Sequence, residues 1–244
     1  MYFIILLILL LVLLFLIKKK SNIREGFQNN NINIYYINLE KRKDRKKRIE
    51  NELKKIKNIK NFNFKINRFN AIKSDIHGGI GCGKSHINIL KMAKEKNLPM
   101  VMIIEDDIKI NDDKINIYFE KINNTPLWDV FILSGWGKTK KYDNNLEKAL
   151  GVQTTGWYIV RQHYYDKLID VFTESVNNME NLNKNGKDIN YKKWAIDQNW
   201  KKLQPNSIWF KFKNNLGLQI EDYSDIVNKK VNYNSFFNED TRLK

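Results

Sequence analysis

The sequence predicts an α/β fold in which a mixed, mostly parallel sheet is flanked by helices. Segments with strand character alternate along the chain with segments of helical periodicity, which is typical of this class. Residues 100–104 (MVMII) are entirely apolar, as are strands that helices cover on both faces of a sheet. The 244 residues are 42% hydrophobic and include 13 Phe, 11 Tyr and 6 Trp, so the composition favours a packed core over disorder.

The first half of the chain contains three predicted strands and two predicted helices. Residues 32–39 (INIYYINL) are rich in β-branched and aromatic residues, and residues 62–69 alternate in polarity, so both predict strands. Residues 41–57 and 85–96 carry apolar side chains at helical spacing. Residues 100–104 form the third strand, which begins directly after Pro99.

The second half continues the alternation with weaker signals. Its predicted helices and strands are a helix at 113–122, strands at 128–133 and 156–160, helices at 162–172 and 192–203, and a strand at 207–212. The Asn- and Lys-rich residues 177–190 predict an exposed loop, and residues 135–150 match no element.

The N-terminus predicts a membrane anchor. Residues 2–17 are an unbroken apolar run followed by three lysines, and residues 1–17 reach the short end of the length that spans a bilayer. An uncharged start and the lack of a small-residue cleavage site favour an uncleaved helix over a signal peptide. Residues 18–31 then predict a polar linker. The lysines after the anchor would leave the rest of the chain in the cytosol by the positive-inside rule.

The formal net charge of +16 does not predict nucleic-acid binding, because the lysines are spread along the chain. The densest run, residues 41–48 (KRKDRKKR), is broken by Asp44 and fits a solvated helix face. Attraction to anionic membranes or to acidic nucleotide-sugars is the better-supported use of this charge. The single cysteine, Cys82, excludes an internal disulfide, and it is either a nucleophile or a small buried residue.

Residues 78–85 (GGIGCGKS) match the phosphate-loop pattern, which would predict a nucleotide-binding ATPase or kinase. A true phosphate loop directly follows a strand, so that backbone N–H groups close around the phosphates. Here the preceding residues 73–77 are polar and contain no run of strand length. The pattern therefore stays an alternative, and a Gly-rich turn before a helix explains it equally.

Three acids, Glu105, Asp106 and Asp107, follow the apolar strand. Ligands of open α/β sheets bind beyond the carboxyl ends of strands. Alternation along an extended chain would point Glu105 and Asp107 the same way, where two carboxylates could bind Mg²⁺ or Mn²⁺. The alternative is a solvated acidic turn.

Several short motifs, in order over residues 32–228, together resemble glycosyltransferase family 25. They are Tyr36-Ile37-Asn38-Leu39 with Arg42 and Arg45, Arg68-Phe69-Asn70-Ala71, Gly81-Cys82 with Ser85-His86, Ile104-Glu105-Asp106-Asp107, Trp128-Asp129, Thr155-Gly156-Trp157-Tyr158, Asp197, and Gln219 with Ser224-Asp225-Ile226.

The resemblance implies a GT-A-like single domain over residues 32–228, followed by a C-terminal tail at 229–244. It also implies an inverting transfer of a hexose, galactose or glucose, from a UDP-sugar, with Mn²⁺ or Mg²⁺ held by Glu105 and Asp107. The acceptor would be a hydroxyl of a glycan, a lipid-linked glycan or a protein. Membrane-anchored transferases of the secretory pathway usually face the lumen, whereas the lysines after the anchor predict a cytosolic orientation. The side of the membrane on which the catalytic domain lies is therefore not predicted.

The resemblance also implies roles for single residues. Asp197 would be the base that deprotonates the acceptor, unless it is only a helix-surface acid. The nearby Trp194 and Trp200 are either a sugar platform or core. The expected donor-binding residues are Asn38, Arg45, Ser85, His86, Glu105 and Asp106, although His86 could simply be a satisfied polar residue at a helix start. Gln219, Ser224 and Asp225 would lie on the acceptor or diphosphate side. An inactive family member that acts as a binding scaffold is a further alternative.

Overall fold

A six-stranded sheet forms the centre of the computed structural model, which describes residues 31–111, 113–184, 191–226 and 229–232. The strands are β1 (Asn31–Asn38), β2 (Asn63–Asn70), β3 (Met100–Glu105), β4 (Ile108–Ile110), β5 (Val130–Lys141), β6 (Leu146–Arg161), β7 (Trp209–Phe212), β8 (Gly217–Gln219), β9 (Asp222–Ser224) and β10 (Lys229–Val231). The helices are α1 (Lys43–Lys54), α2 (Gly78–Glu95), α3 (Ile115–Asn124), α4 (Tyr165–Lys184), α5 (Tyr191–Trp194) and α6 (Ile196–Asn199).

The central sheet has the order β2-β1-β3-β6-β5-β7, and β6 runs against the other five strands. This arrangement confirms the predicted mixed, mostly parallel sheet. Strands β4 with β8 and β9 with β10 form two small antiparallel pairs outside it. Because β1, β2 and β3 are parallel, their carboxyl ends meet at one edge of the sheet, where ligands of open α/β sheets bind.

Alternate residues of β3 pack into two separate cores, one on each face of the sheet. Met102 and Ile104 join the core that contains residues of α1 and α3. Val101 and Ile103 join the core that contains residues of α2 and α4. An apolar strand of this kind therefore reflects burial on both faces, as the sequence predicts.

Helix α2 begins seven residues earlier than predicted, so the helix start expected at Ser85 is wrong. The whole GGIGCGKS segment forms its first two turns, and the His77 side chain caps them by accepting a hydrogen bond from the Gly79 N–H. Lys84 forms an ion pair with Glu180 of α4 at 2.6 Å. These backbone groups are engaged in a helix, and β2 ends eight residues before it, so the segment does not have the geometry of a phosphate loop.

Close packing explains why glycines are kept in a helix that they weaken. A Cβ atom on Gly81 would lie 2.2 Å from the backbone oxygen of Ile72, in the loop that follows β2. Gly78 is similarly close to residues near the C-terminus, where its Cβ would lie 2.5 Å from the Cα of Ile226. The glycines thus allow the helix to touch both segments.

Gly81→Ala is expected to destabilise the protein by about 1–3 kcal/mol, because the new methyl group must displace backbone rather than a flexible side chain. Urea unfolding followed by tryptophan fluorescence measures the loss. Gly151→Ala is the matched control, since its Cβ would lie 3.4 Å from the Lys138 side chain, which is ordinary contact. Equal stability of the two variants would contradict this account of the glycine.

Other segments differ from the sequence prediction because tertiary contacts override weak local signals. Residues 177–184 belong to α4 rather than to a loop, and residues 135–150 belong to the long β5–β6 hairpin. The helix predicted at 192–203 is instead α5, α6 and a 3₁₀ segment, Trp200–Asn206, which contains Pro205.

The predicted membrane anchor and most of the linker lie outside the described residues, as does most of the C-terminal tail. In the described ranges, no helix combines the length and apolar composition needed to cross a bilayer. Residues Lys229–Val231 of the tail form β10.

Candidate active site

A cleft of ≈ 390 Å³ lies at the carboxyl ends of β1, β2 and β3. Its walls come from the loops after these strands, from the start of α2 and from residues 224–226. The three acids that follow β3 lie in it together with Arg45, Cys82 and His86. The parallel strand order therefore brings together residues that are far apart in sequence.

The strand places Glu105 and Asp106 on opposite sides of the cleft floor. Glu105 continues the face of Val101 and Ile103, and its carboxylate accepts a hydrogen bond from the Thr155 hydroxyl at 3.1 Å. Asp106 lies on the α1 side. The chain turns at Asp106 and Asp107 to start β4, so the extended alternation assumed from the sequence stops at Glu105.

Asp106 is held by Asn38 and Arg45, and all three residues are almost fully buried. The Asn38 amide donates to Asp106 Oδ2 at 2.7 Å, and Arg45 Nη1 donates to Oδ1 at 3.0 Å. The other amide atom of Asn38, Oδ1, accepts from Arg68 Nε. Burial raises the pKa of Asp106, although Asn38 and Arg45 oppose that shift. Both oxygens of Asp106 are thus engaged within the protein.

Arg45 also fastens the C-terminal segment over the cleft. Its Nη2 donates to the Tyr223 carbonyl oxygen at 2.7 Å, and its Nε lies 3.3 Å from the Asp222 carboxylate. Arg42 donates to Asp225 Oδ2 at 2.6 Å. These ion pairs close one wall of the cleft with the residues that surround Ser224.

Arg45→Leu is expected to destabilise the fold by about 3–5 kcal/mol, because it leaves Asp106 as a buried carboxylate without its cationic partner. Urea unfolding measures the change. Arg48→Leu is the control: its side chain is 34% exposed and pairs with the same Asp222, so its loss should cost less than about 1 kcal/mol. Similar losses for both variants would contradict the central role of Arg45.

Asp107 has one carboxylate oxygen that a cation could bind. Burial and the negative charge of Glu105 raise its pKa to about 7, even though Arg45 lies 3.8 Å away. Gln219 Nε2 approaches Asp107 Oδ2 at 3.5 Å, while Oδ1 is buried with no hydrogen-bond partner among the described residues. Two neighbouring carboxylates, one with a buried free oxygen, match the hard ligands that Mn²⁺ and Mg²⁺ prefer.

Ser85 and His86 project from α2 towards the cleft but are engaged differently. The Ser85 hydroxyl donates to the Gly81 carbonyl and accepts from the Ile72 N–H, so it ties the loop after β2 to the helix. His86 is fully buried; its Nδ1 lies 3.0 Å from the Tyr158 hydroxyl and its Nε2 lies 3.4 Å from Glu105 Oε1. Its Nε2 faces the acids and is without a hydrogen bond in the described structure.

Asp197 lies in the short helix α6, and its carboxylate accepts the N–H of Thr154 at 3.1 Å. Thr154 has φ = 77°, a strained value for a β-branched residue, and its hydroxyl donates to the Ser134 carbonyl. Burial raises the pKa of Asp197, and the charge of Glu105 adds to the shift. The Thr154 N–H, donated from this unusual backbone conformation, therefore holds the Asp197 carboxylate.

Most of the expected residues line this cleft, whereas Asn38, Asp197 and Gln219 lie behind its lining. Ser224 and Asp225 line the cleft wall, and Gln219 reaches it through Asp107. Trp200 is fully buried against Trp209, so it belongs to the core, whereas Trp194 is half-buried. Sequence reasoning missed Thr154, whose backbone conformation leaves no signal in sequence.

One comparison with known proteins identifies a family for this chain. The family described as glycosyltransferase family 25 (LPS biosynthesis protein) matches residues 31–180, more than half of the chain. No curated protein sequence matches the chain.

Similar solved structures include the following two. The first is a glycosyltransferase involved in the glycosylation of the major capsid of PBCV-1, at 9% identity and TM-score 0.48, covering 87% of this chain and 99% of that one. The second is mannose-1-phosphate geranyltransferase from Thermus thermophilus, at 8% identity and TM-score 0.44, covering 78% of this chain and 74% of that one.

Proposed function

The chain belongs to glycosyltransferase family 25, and we propose that it transfers a hexose, galactose or glucose, from a UDP-sugar to a hydroxyl acceptor with inversion. The proposal extends the family's activity to a donor, a cation and a stereochemical course for this chain. The observation that carries it is the group of Glu105, Asp106 and Asp107 at the carboxyl end of β3, inside a cleft large enough for a ligand.

Glu105 and Asp107 would hold the divalent cation, Mn²⁺ or Mg²⁺. The support is chemical: one oxygen of Asp107 is buried without a hydrogen-bond partner among the described residues, and burial together with the negative charge of Glu105 raises the pKa of Asp107. Such a cation, when bound, supplies positive charge that offsets the negative charge of the leaving diphosphate. Asp106 has a different role in this proposal, because Asn38 and Arg45 occupy its oxygens and thereby fix the turn that presents its two neighbours.

The rest of the cleft offers groups suited to a nucleotide diphosphate. Arg42 and Lys73 line it and supply positive charge, and the loop at residues 71–76 borders the same space. Ser85 and His86 shape the floor beneath the donor. Ser224 and Asp225 line the cleft, and Gln219 lies behind Asp107; all three would be on the diphosphate or acceptor side.

Asp197 is the proposed base. Transfer with inversion needs a carboxylate that removes the acceptor proton on the face opposite the leaving group. A pKa raised by burial makes this carboxylate a stronger proton acceptor than an exposed one. The Thr154 N–H holds one of its oxygens and leaves the other for the acceptor hydroxyl.

We further propose that residues 1–17 anchor the protein in a membrane, with the side of the membrane and the acceptor left open. The support is the apolar run of residues 2–17 followed by Lys18, Lys19 and Lys20. Carbonate extraction of cell membranes tests the anchor: the full chain should stay in the pellet, and a chain without residues 1–17 should be released. Release of both would contradict it.

A donor screen tests the central proposal. The full-length chain, purified in detergent, is given each UDP-sugar with Mn²⁺, with Mg²⁺ or with EDTA, and released UDP is measured. UDP-galactose or UDP-glucose should be hydrolysed only with a cation. The anomeric configuration of the product of transfer to an added glycan, read by NMR, reports inversion. Release that is insensitive to EDTA, or confined to other donors, would overturn the proposal.

A further inference from the structure

Cys82, His86 and Glu105 form a second possible cation site at the floor of the cleft. Cys82 and His86 are four residues apart on α2 and therefore lie on the same helix face. Glu105 approaches them from the end of β3. One ligand atom from each residue lies within 4.8 Å of the others.

The environment of His86 is a second indication of a bound cation, separate from the distances between the three ligand atoms. Its side chain is fully buried, and Nδ1 is engaged with the Tyr158 hydroxyl at 3.0 Å. Its Nε2 is buried, has no hydrogen-bond partner in the described residues, and faces Glu105 at 3.4 Å. An unpaired buried nitrogen costs stability, and a cation would use its lone pair when Nδ1–H donates to Tyr158. A fixed outer partner of this kind is typical of histidines that bind metals.

The ligand set selects a different cation from the one proposed for sugar transfer. Thiolate, imidazole and carboxylate together suit Zn²⁺ and Co²⁺, whereas Mn²⁺ and Mg²⁺ prefer oxygen ligands such as Glu105 and Asp107. Three protein ligands also leave one tetrahedral position open, and all three residues line the cleft.

We propose that Cys82, His86 and Glu105 bind Zn²⁺, and that this ion competes with the activating cation because both need the Glu105 carboxylate. The binding site stands on the geometry of the three residues alone. The competition rests on the proposed function.

Cobalt absorption tests the site directly in the full-length chain. Cys82 is the only cysteine of the sequence, so a sulfur-to-cobalt charge-transfer band can arise only from this residue. The unsubstituted chain should develop the band on Co²⁺ addition and lose it when Zn²⁺ is added. Cys82→Ser should show no band, and its Zn²⁺ affinity, measured against a chromophoric chelator, should fall by at least about 100-fold.

His163→Ala is the matched control, since His163 is exposed and pairs with Asp129 away from the cleft; it should keep the band and the affinity. No charge-transfer band in the unsubstituted chain, or equal Zn²⁺ affinity in Cys82→Ser, would overturn the site. Zn²⁺ that binds but does not lower Mn²⁺-dependent UDP release would overturn the competition. A chain that binds Co²⁺ through sulfur but releases no UDP from any donor would support this site and count against the proposed function.

Discussion

Asp107→Asn is expected to lower the rate of sugar transfer by about 10²–10³-fold, the size of effect seen when one electrostatic contact to developing charge is lost. Asparagine keeps the shape of the side chain but removes the negative charge that would hold the cation. Initial rates of UDP release measure the change, at saturating donor and at the Mn²⁺ concentration that saturates the unsubstituted chain. A partial recovery at very high Mn²⁺ would identify the defect as weakened cation binding.

Lys84→Ala is the control that separates this account from the phosphate-loop alternative. Lys84 pairs with Glu180 on the surface of α2 and is absent from the cleft lining, so its loss should leave UDP release unchanged. A chain that loses nucleotide binding through Lys84→Ala and keeps it in Asp107→Asn would contradict the proposed site.

Asp107→Asn should not unfold the protein, and the pH dependence of stability can verify this. The pKa of Asp107 rises from 3.8 to about 7 on folding, so its ionised form destabilises the cation-free fold increasingly between these pH values. Asp107→Asn lacks that charge. In EDTA it should melt at a higher temperature than the unsubstituted chain at about pH 8. The difference should shrink as the pH falls towards about 4, where Asp107 is neutral in the folded protein and becomes increasingly protonated in the unfolded chain. A lower melting temperature at both pH values would mean that the activity loss reports misfolding.

Asp197→Asn is expected to lower transfer by about 10²–10⁴-fold while leaving UDP binding intact, as expected for a general base. The asparagine oxygen can still accept the Thr154 N–H, so the local geometry should persist. Transfer to an added acceptor and the Kd for UDP, measured by calorimetry with Mn²⁺, separate the two effects.

Asp166→Asn provides the matched control for Asp197, because Asp166 is exposed and pairs with Lys94 on the surface. It should leave both the transfer rate and the Kd unchanged. Full transfer activity in Asp197→Asn would assign the base to another residue. A loss of UDP binding together with activity would place Asp197 in donor binding instead.

The elements with strong local patterns could be predicted from sequence, and those set by distant contacts could not. The apolar run of β3 and the periodicity of α1 carried enough signal to place both within a few residues. The start of α2 was misplaced because three of its first four residues are glycines, whose low helix propensity predicts a turn. Only the contacts of Gly81 with Ile72, and of Gly78 with Ile226, explain a helix there.

The candidate site divides in the same way. The family motifs identified Asn38, Arg45 and His86 as residues of interest. The three acids were also identified by their position at a strand end, where carboxylates can bind a divalent cation. The motifs could not reveal that both carboxylate oxygens of Asp106 accept hydrogen bonds within the protein. They also could not reveal that Thr154, which donates its N–H to Asp197, has a positive φ. Thr154 is 43 residues from Asp197 and Arg45 is 178 residues from Tyr223, so no local pattern encodes these hydrogen bonds.

The sequence by itself determined the α/β class, the family resemblance and the cluster of acids after β3, since these depend on local hydrophobic pattern and short motifs. Tertiary structure alone decided which side each acid faces and which side chains contact it. The physical reason is that a strand alternates its side chains only while it stays extended. The turn at Asp106 and Asp107 ends that alternation, and Arg45, Thr155 and Gln219 then contact the three carboxylates from different elements of the fold.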